Sequence, residues 1–236
     1  MNHNRGTLIV GIGGLTSEVG KTTLLCKLLE AFPCWEAIKT TRGHYRSCGK
    51  DPHTCCVSDL LSEEPVVYSG RKTTYVAGKD TGKYWDAGAG NVHWVIATDE
   101  QVEAGIHEAL DRVTAAGVFV EGNSFTEFVK SDFFVMVADS EMLKIKHTAR
   151  RALSQVGAVY VSHSSGASDT ESIRKFLRDC DLREDVEFFE DDQVASLADY
   201  IRATLLSSSA NSDNHSSIRN ILDSPDNKGL TQASSG

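Results

Sequence analysis

The sequence lacks several patterns that would assign a function directly. It has no run of about 20 apolar residues, the length that a membrane span needs. The apolar stretch Leu8–Val10 is too short for a signal-peptide core. Neither the Gly-x-Ser-x-Gly of serine hydrolases nor the His-Glu-x-x-His of zinc peptidases occurs. A membrane protein, a triad hydrolase and a zincin therefore have no support.

Positive charge is also scarce. The chain carries 24 Lys and Arg against 33 Asp and Glu, which gives a net charge of −9. A general nucleic-acid binder needs basic surface to displace counterions, so we predict no nucleic-acid partner and leave room for a local basic pocket. The six cysteines follow no secretory signal, which favours a reducing, cytoplasmic location over a disulfide scaffold.

The 236 residues, 40% of them hydrophobic, are enough for one large domain. Short β-rich runs alternate with helical patterns over residues 1–206, which predicts an α/β fold with a mostly parallel sheet flanked by helices. Residues 42–77 are interpreted as an inserted Cys/His-rich loop with an edge hairpin of 66–68 and 74–77. The Ser-rich residues 207–236 predict a disordered tail. The predicted strands are 7–12, 36–39, 91–97, 118–121, 133–138, 158–162 and 186–189, and the predicted helices are 22–32, 100–116, 141–155, 172–178 and 194–206.

The most specific motif is a glycine-rich loop between the first predicted strand and helix. Its glycines let backbone N–H groups cradle phosphates at a helix N-terminus, Lys21 would reach the β- and γ-phosphates, and the Thr22 hydroxyl would bind Mg²⁺. Gly14 and Gly20 enclose five residues instead of the usual four, and the alternative is a glycine-rich turn that binds nothing. The predicted nucleotide-binding residues are Gly14, Thr16, Ser17, Glu18, Val19, Gly20, Lys21, Thr22 and Thr23.

Two acids and a lysine are predicted beside this loop. Glu121 ends an apolar strand, where ligands of open α/β sheets bind, and is interpreted as a Mg²⁺ or water ligand or else as the cap of the next helix. Asp80 lies in a glycine-flanked turn of the sequence. It is interpreted as a second Mg²⁺ ligand or a substrate contact, or else as the residue of an Asx turn. Lys39 would neutralise a γ-phosphate or the acid group of a second substrate, or be a solvated lysine.

Residues 43–56 contain three cysteines and two histidines. Their thiolate and imidazole groups suit Zn²⁺ or an iron–sulfur cluster. Their spacing fits no known metal motif, because six residues separate Cys48 from Cys55 and no Cys-x₂-Cys occurs. The alternatives are a flexible loop with incidental thiols, or an anion site at Arg42 and Arg46. The ligands of this second metal site would be His44, Cys48, His53, Cys55 and Cys56.

Two family resemblances rest on these motifs. The five-residue loop ending Val19-Gly20-Lys21-Thr22 looks like that of dethiobiotin synthetases, which are ATP-dependent ring-closing enzymes. Residues 7–206 resemble the molybdopterin-guanine dinucleotide biosynthesis protein B family, in the SIMIBI-like branch of P-loop NTPases. The matching segments of the second resemblance are Ile38-Lys39-Thr40, Gly78-Lys79-Asp80-Thr81, Asp86-Ala87-Gly88-Ala89 and Val120-Glu121-Gly122.

The second resemblance implies a nucleotide-binding accessory protein of molybdenum cofactor maturation, with weak hydrolysis of GTP or ATP, a protein partner and a homodimer. It implies catalytic roles for Lys21, Lys39, Asp80 and Glu121, with Mg²⁺ held by Thr22, Asp80 and Glu121. The alternatives are an ATP-dependent small-molecule enzyme, either a dethiobiotin-synthetase-like ligase or a small-acid kinase, and a metal-delivery NTPase. The base is open, since the guanine-reading Asn-Lys-x-Asp is absent.

Overall fold

The structure is a computed structural model that describes residues 6–43, 60–139, 141–162 and 169–210. The strands are β1 (Leu8–Gly14), β2 (Glu36–Arg42), β3 (Val66–Ser69), β4 (Val92–Ala97), β5 (Gly117–Glu121), β6 (Phe133–Asp139), β7 (Ala158–Ser162) and β8 (Glu187–Phe189). The helices are α1 (Lys21–Ala31), α2 (Arg71–Thr74), α3 (Asp80–Asp86), α4 (Val102–Asp111), α5 (His147–Ala152), α6 (Thr170–Arg178) and α7 (Val194–Ala210).

The eight strands form one sheet in the order β3-β4-β2-β5-β1-β6-β7-β8. β3 runs antiparallel to β4 at one edge, and every other neighbouring pair is parallel. The predicted α/β fold with a mostly parallel, helix-flanked sheet is therefore confirmed. Across the ranges that the structure describes, no helix has the length and apolar character to cross a membrane.

Both faces of the sheet are covered, as a parallel sheet requires. Successive residues of β6 alternate between them: Phe133 belongs to the core that includes residues of α1, α3 and α7, whereas Phe134 belongs to the core that includes residues of α4, α5 and α6. Leu24 and Leu28 of α1 are fully buried on the first face. Because β1 lies near the middle of the sheet, the loop that follows it is supported by strands on both sides.

Several parts of the chain differ from the sequence prediction. The predicted hairpin of 66–68 with 74–77 is wrong, because β3 pairs with β4 and Thr74 is buried in α2, where its hydroxyl accepts from Trp85 Nε1 at 2.9 Å. The predicted helix 141–155 is reduced to α5 and one 3₁₀ turn. α7 continues to Ala210, so residues 207–210 of the predicted tail are helical, and 211–236 lie outside the described residues.

A buried polar chain links β2, β4 and β3 at the amino end of β2. His93 is fully buried, with Nε2 2.6 Å from Glu36 Oε2 and Nδ1 2.8 Å from Ser69 Oγ. The other carboxylate oxygen of Glu36 accepts three hydrogen bonds of 2.9–3.0 Å. Their donors are the Thr114 amide, the Ala115 amide and the Thr114 hydroxyl. Burial raises the pKa of Glu36, but these donors outweigh it, so the pKa lies below its usual 4.5.

We predict that Glu36→Gln lowers the free energy of unfolding at pH 7 by about 2–3 kcal/mol, since hydrogen bonds to a charged group are lost. A lowered carboxyl pKa stabilises the fold above pH 4.5 and loses this contribution as pH falls through the folded-state pKa. The free energies of unfolding of wild type and variant, measured with urea, should therefore converge in acid. Glu103→Gln, on the exposed side of α4, is the control. A difference that is the same at every pH would contradict this account.

Candidate functional site

The predicted phosphate loop connects the carboxyl end of β1 to the first residue of α1. Its backbone takes the left-handed conformation at Glu18, where φ is 61°, and at Gly20, where φ is 87°. Within the described ranges, the amides of residues 16–20 donate to no backbone carbonyl. A loop of this kind forms a concave set of N–H donors, and the N-terminus of α1 adds a positive dipole. The local geometry suits a polyphosphate.

Asn123 clamps the start of the loop. Its Nδ2 donates to the Gly14 carbonyl and its Oδ1 accepts from the Gly14 amide, both at 2.9 Å. This clamp requires glycine at position 13, because a Cβ there would lie 2.3 Å from Asn123 Oδ1. The Asn123 side chain thereby joins the ends of β1 and β5.

Two further residues hold the rest of the loop. The Lys146 amide donates to the Leu15 carbonyl at 2.9 Å, and its ammonium lies 2.5 Å from Ser17 Oγ. Ser162, at the end of β7, donates to the Val19 carbonyl at 2.9 Å. The loop is thus fixed by carbonyl and side-chain contacts from three directions, which leaves its amides for an anion.

Glu121, at the end of β5, is the centre of the site and is buried, with 3% of its surface exposed. Its Oε2 accepts hydrogen bonds from Thr22 Oγ1, at 3.0 Å, and from the hydroxyl of Tyr84. Its Oε1 lies 2.5 Å from Lys39 Nζ. Lys39 Nζ is also 2.8 Å from Asp80 Oδ2. Four elements of the fold, β2, β5, α1 and α3, therefore meet at one carboxylate.

The charges of this cluster stabilise one another. Burial lowers the pKa of Lys39, but the charges of Glu121 and Asp80 outweigh it and the pKa is raised. Burial likewise raises the pKa of Asp80, and the bond to Lys39 reverses the direction. Burial and the Glu121 charge hold the pKa of Tyr84 well above its usual value, so Tyr84 acts as a neutral donor.

The loop and the cluster line a cavity of about 570 Å³. Five basic side chains line it against three acidic ones, in a chain whose net charge is −9. Burial lowers the pKa of Lys21, and the charges of Lys39 and Lys146 lower it further, against the opposing effect of Glu121. A bound anion would relieve this penalty. The charged lining residues are Lys21, Lys39, Arg42, Lys83, Lys146, Glu18, Asp80 and Glu121.

The donor set also suits Mg²⁺, a hard cation that prefers a few carboxylate or hydroxyl oxygens together with phosphate oxygens. The Thr22 hydroxyl has one donor, used on Glu121, and two lone pairs, so it can bind a metal at the same time. Asp80 and Glu121 supply the carboxylates. Among the described residues, no cluster of three or more His, Cys, Asp or Glu could hold a metal alone.

The structure brings most of the predicted site residues to one cavity. The Val19 side chain is buried in the core instead, and Thr23, on α1, is exposed and is not among the lining residues. The predicted second metal ligands His44, Cys48, His53, Cys55 and Cys56 lie outside the described residues. The predicted lining residues that are found together are Gly14, Thr16, Ser17, Glu18, Gly20, Lys21, Thr22, Lys39, Asp80 and Glu121.

Sequence reasoning missed Tyr84, Asn123, Lys146 and Ser162. A tyrosine four residues after Asp80 and an asparagine two residues after Glu121 were weak signals, because any pairing depended on the sheet order. Lys146 was assigned to a helix, whereas residues 141–146 precede α5 and bring Lys146 to the loop. None of these four contacts is local in sequence.

No protein-family model matches the chain, and no curated protein sequence matches it. The chain is similar to several solved structures, at TM-scores below 0.5. HypB from Helicobacter pylori in complex with nickel has 10% sequence identity and a TM-score of 0.49, over 86% of this chain and 89% of that one. A nucleotide-binding protein from Archaeoglobus fulgidus, in complex with ADP and with cobalt, has 14% identity and a TM-score of 0.39, over 84% and 87%.

A plasmid partition protein from Borrelia burgdorferi is similar at 11% identity and a TM-score of 0.31, over 92% of this chain and 96% of that one. At these identities and TM-scores the likeness carries no argument about the site. The properties of the site therefore rest on its own geometry.

We predict that alanine at Gly20 impairs nucleotide binding, whereas alanine at Gly88 does not. Both glycines have left-handed φ, +87° and +89°. Each variant should therefore lose about 1–2 kcal/mol of unfolding free energy. Only Gly20 belongs to the loop, so its variant should lose roughly tenfold in nucleotide affinity, as one displaced donor would cause. Calorimetric titration, with urea unfolding as the check on stability, measures both. Equal affinities would contradict the assignment of the loop.

Proposed function

We propose that the chain is a Mg²⁺-dependent P-loop nucleoside-triphosphate-binding protein that hydrolyses its nucleotide slowly. One observation carries this proposal: the Thr22 hydroxyl, beside the loop lysine, lies 3.0 Å from the carboxylate that ends β5. These residues are 99 positions apart, so the fold alone joins them. A hydroxyl and a strand-end acid beside a phosphate loop form a Mg²⁺–phosphate site.

Each residue has a chemical role in this proposal. The loop amides and the Lys21 ammonium would bind the β- and γ-phosphate oxygens, which carry the charge that develops during phosphoryl transfer. Thr22, Glu121 and Asp80 would hold Mg²⁺, which when bound neutralises phosphate charge. Asn123, Lys146 and Ser162 keep the loop in place through its backbone and Ser17. Tyr84 orients Glu121 through a hydrogen bond.

The basic lining supports a polyanionic ligand. Lys21, Lys83 and Lys146 all line the cavity, and burial, together with neighbouring cations, lowers the pKa of Lys21. In an acidic protein, this cavity is lined by more basic than acidic side chains, which favours a small anion with several negative charges. A thermal-shift panel of ATP, GTP and their diphosphates, with and without Mg²⁺, would identify the base.

We propose an accessory role in preference to a biosynthetic step, following the sequence resemblance. Molybdenum cofactor maturation gains no support from the comparisons, since none of the three similar structures is described as a protein of that pathway. The metal-delivery alternative depended on the Cys/His segment, most of which lies outside the described residues. Elemental analysis of protein purified without chelator tests it, since metal-free protein that takes up no Zn²⁺ would exclude metal delivery.

Steady-state turnover separates the accessory role from the small-molecule enzyme. Rapid ATP consumption that depends on one small acid would indicate a ligase or a kinase. Slow hydrolysis that is indifferent to such acids would indicate the accessory protein. In either case the nucleotide site is the same, so the binding experiment comes first.

We predict that Lys21→Met reduces Mg²⁺-nucleotide affinity by roughly ten- to a hundredfold, because a charge-assisted bond to phosphate is lost. The fold should persist, as Lys21 opens α1 and its side chain faces the cavity. Calorimetric titration with a slowly hydrolysed triphosphate measures the affinity. Lys130→Met, at an exposed lysine outside the cavity, is the control. Unchanged affinity in folded Lys21→Met would contradict the proposal.

A further inference from the structure

Lys39 lies between two carboxylates that come from separate elements. Its ammonium is 2.5 Å from Glu121 Oε1, on β5, and 2.8 Å from Asp80 Oδ2, at the start of α3. The Lys39 side chain is 18% exposed, that of Glu121 3% and that of Asp80 39%. One positive charge is therefore shared by two negative ones, and its pairing with Glu121 is largely buried, where the Coulomb attraction is stronger than in water.

The oxygens that hold Lys39 are the ones that suit Mg²⁺. Magnesium binds carboxylate oxygens at about 2.0–2.1 Å, and an ammonium that contacts the same two oxygens occupies the position between them. The other oxygen of Glu121 is not free to take over, because Tyr84 and Thr22 both donate to it. A metal bound between Asp80 and Glu121 and the Lys39 ammonium in its present position exclude each other.

We propose that Lys39 is the built-in cation of the metal site, and that Mg²⁺ binds by displacing its ammonium onto the terminal phosphate of the nucleotide. This inference rests on the proposed nucleotide-binding function and adds how the site is regulated. Without a phosphate to accept it, the Lys39 charge leaves its carboxylates only at a large cost, so metal alone binds weakly. With a terminal phosphate in the same cavity, the ammonium exchanges one anion for another.

The position of Lys39 allows this exchange, because its side chain and the phosphate loop share one cavity. Lys39 lines the same cavity as Lys21 and the loop, and its long side chain can turn between neighbouring anions. The helix that carries Asp80 also carries Tyr84, so one element presents a carboxylate to the cation and holds Glu121 in orientation. Metal and triphosphate would therefore bind cooperatively, each favouring the other through Lys39.

The test measures Mn²⁺, as the probe for Mg²⁺, by the electron paramagnetic resonance signal of the free ion in nucleotide-free protein. Lys39→Met should bind Mn²⁺ at least about tenfold more tightly than wild type, because both carboxylates lose their resident cation. Lys83→Met removes a charge from the same cavity without freeing the carboxylates. It should gain less than about threefold, as a more distant and screened charge.

A second measurement tests the coupling. In wild type, a slowly hydrolysed triphosphate should raise Mn²⁺ affinity more than the diphosphate does, and this difference should shrink in Lys39→Met. Mg²⁺ alone should also raise the thermal midpoint of Lys39→Met and leave that of wild type nearly unchanged. If Lys39→Met does not fold, Lys39→Gln keeps a hydrogen-bond donor without the charge and is measured in its place.

The inference is overturned if Lys39→Met and Lys39→Gln bind Mn²⁺ no more tightly than Lys83→Met. This outcome is separate from failure of the proposed function, because the first measurement contains no nucleotide. If wild type binds Mg²⁺-nucleotide normally and these variants gain no Mn²⁺ affinity, the proposed function stands and the exchange is wrong. If wild type binds no nucleotide, the proposed function itself is wrong.

Discussion

The carboxylate of Glu121 is the interaction on which the site depends. It is buried, and its two oxygens receive donors from three directions: Thr22 and Tyr84 on one oxygen and Lys39 on the other. A buried carboxylate is tolerated only when it is paired and hydrogen-bonded. These contacts therefore stabilise the charged carboxylate at the end of β5, and losing any one of them would disturb the others.

The central position of β1 in the sheet brings the phosphate loop next to Glu121. β1 pairs with β5 on one side and with β6 on the other, so the loop after β1 opens beside the end of β5. Glycine at position 13 leaves the space that Asn123 needs to clamp Gly14. The Asn123 side chain thus fixes the start of the loop, while the amides of residues 16–20 donate to no backbone carbonyl within the described ranges.

Charge is distributed unevenly between the chain and its cavity. An excess of acidic residues in the whole chain is combined with a cavity that has more lysine and arginine than aspartate and glutamate. Lys21 and Lys39 respond to this setting in opposite directions. Burial and neighbouring cations lower the pKa of Lys21, whereas two carboxylates, against burial, raise the pKa of Lys39. Lys21 is therefore suited to an incoming anion, and Lys39 already has its anions.

The sequence by itself determined the elements whose signals are local. Alternating strands and helices, the glycine loop before Lys21 and the acid at the end of β5 all follow from spacing and residue type, and these placed the α/β fold and most of the cavity. Only the tertiary structure decided that β3 pairs with β4 instead of with 74–77, and that Tyr84, Asn123 and Lys146 reach the site. The reason is that pattern reports the period and polarity of a segment, whereas a contact between distant residues depends on strand order and on which side chains compete for the same buried space.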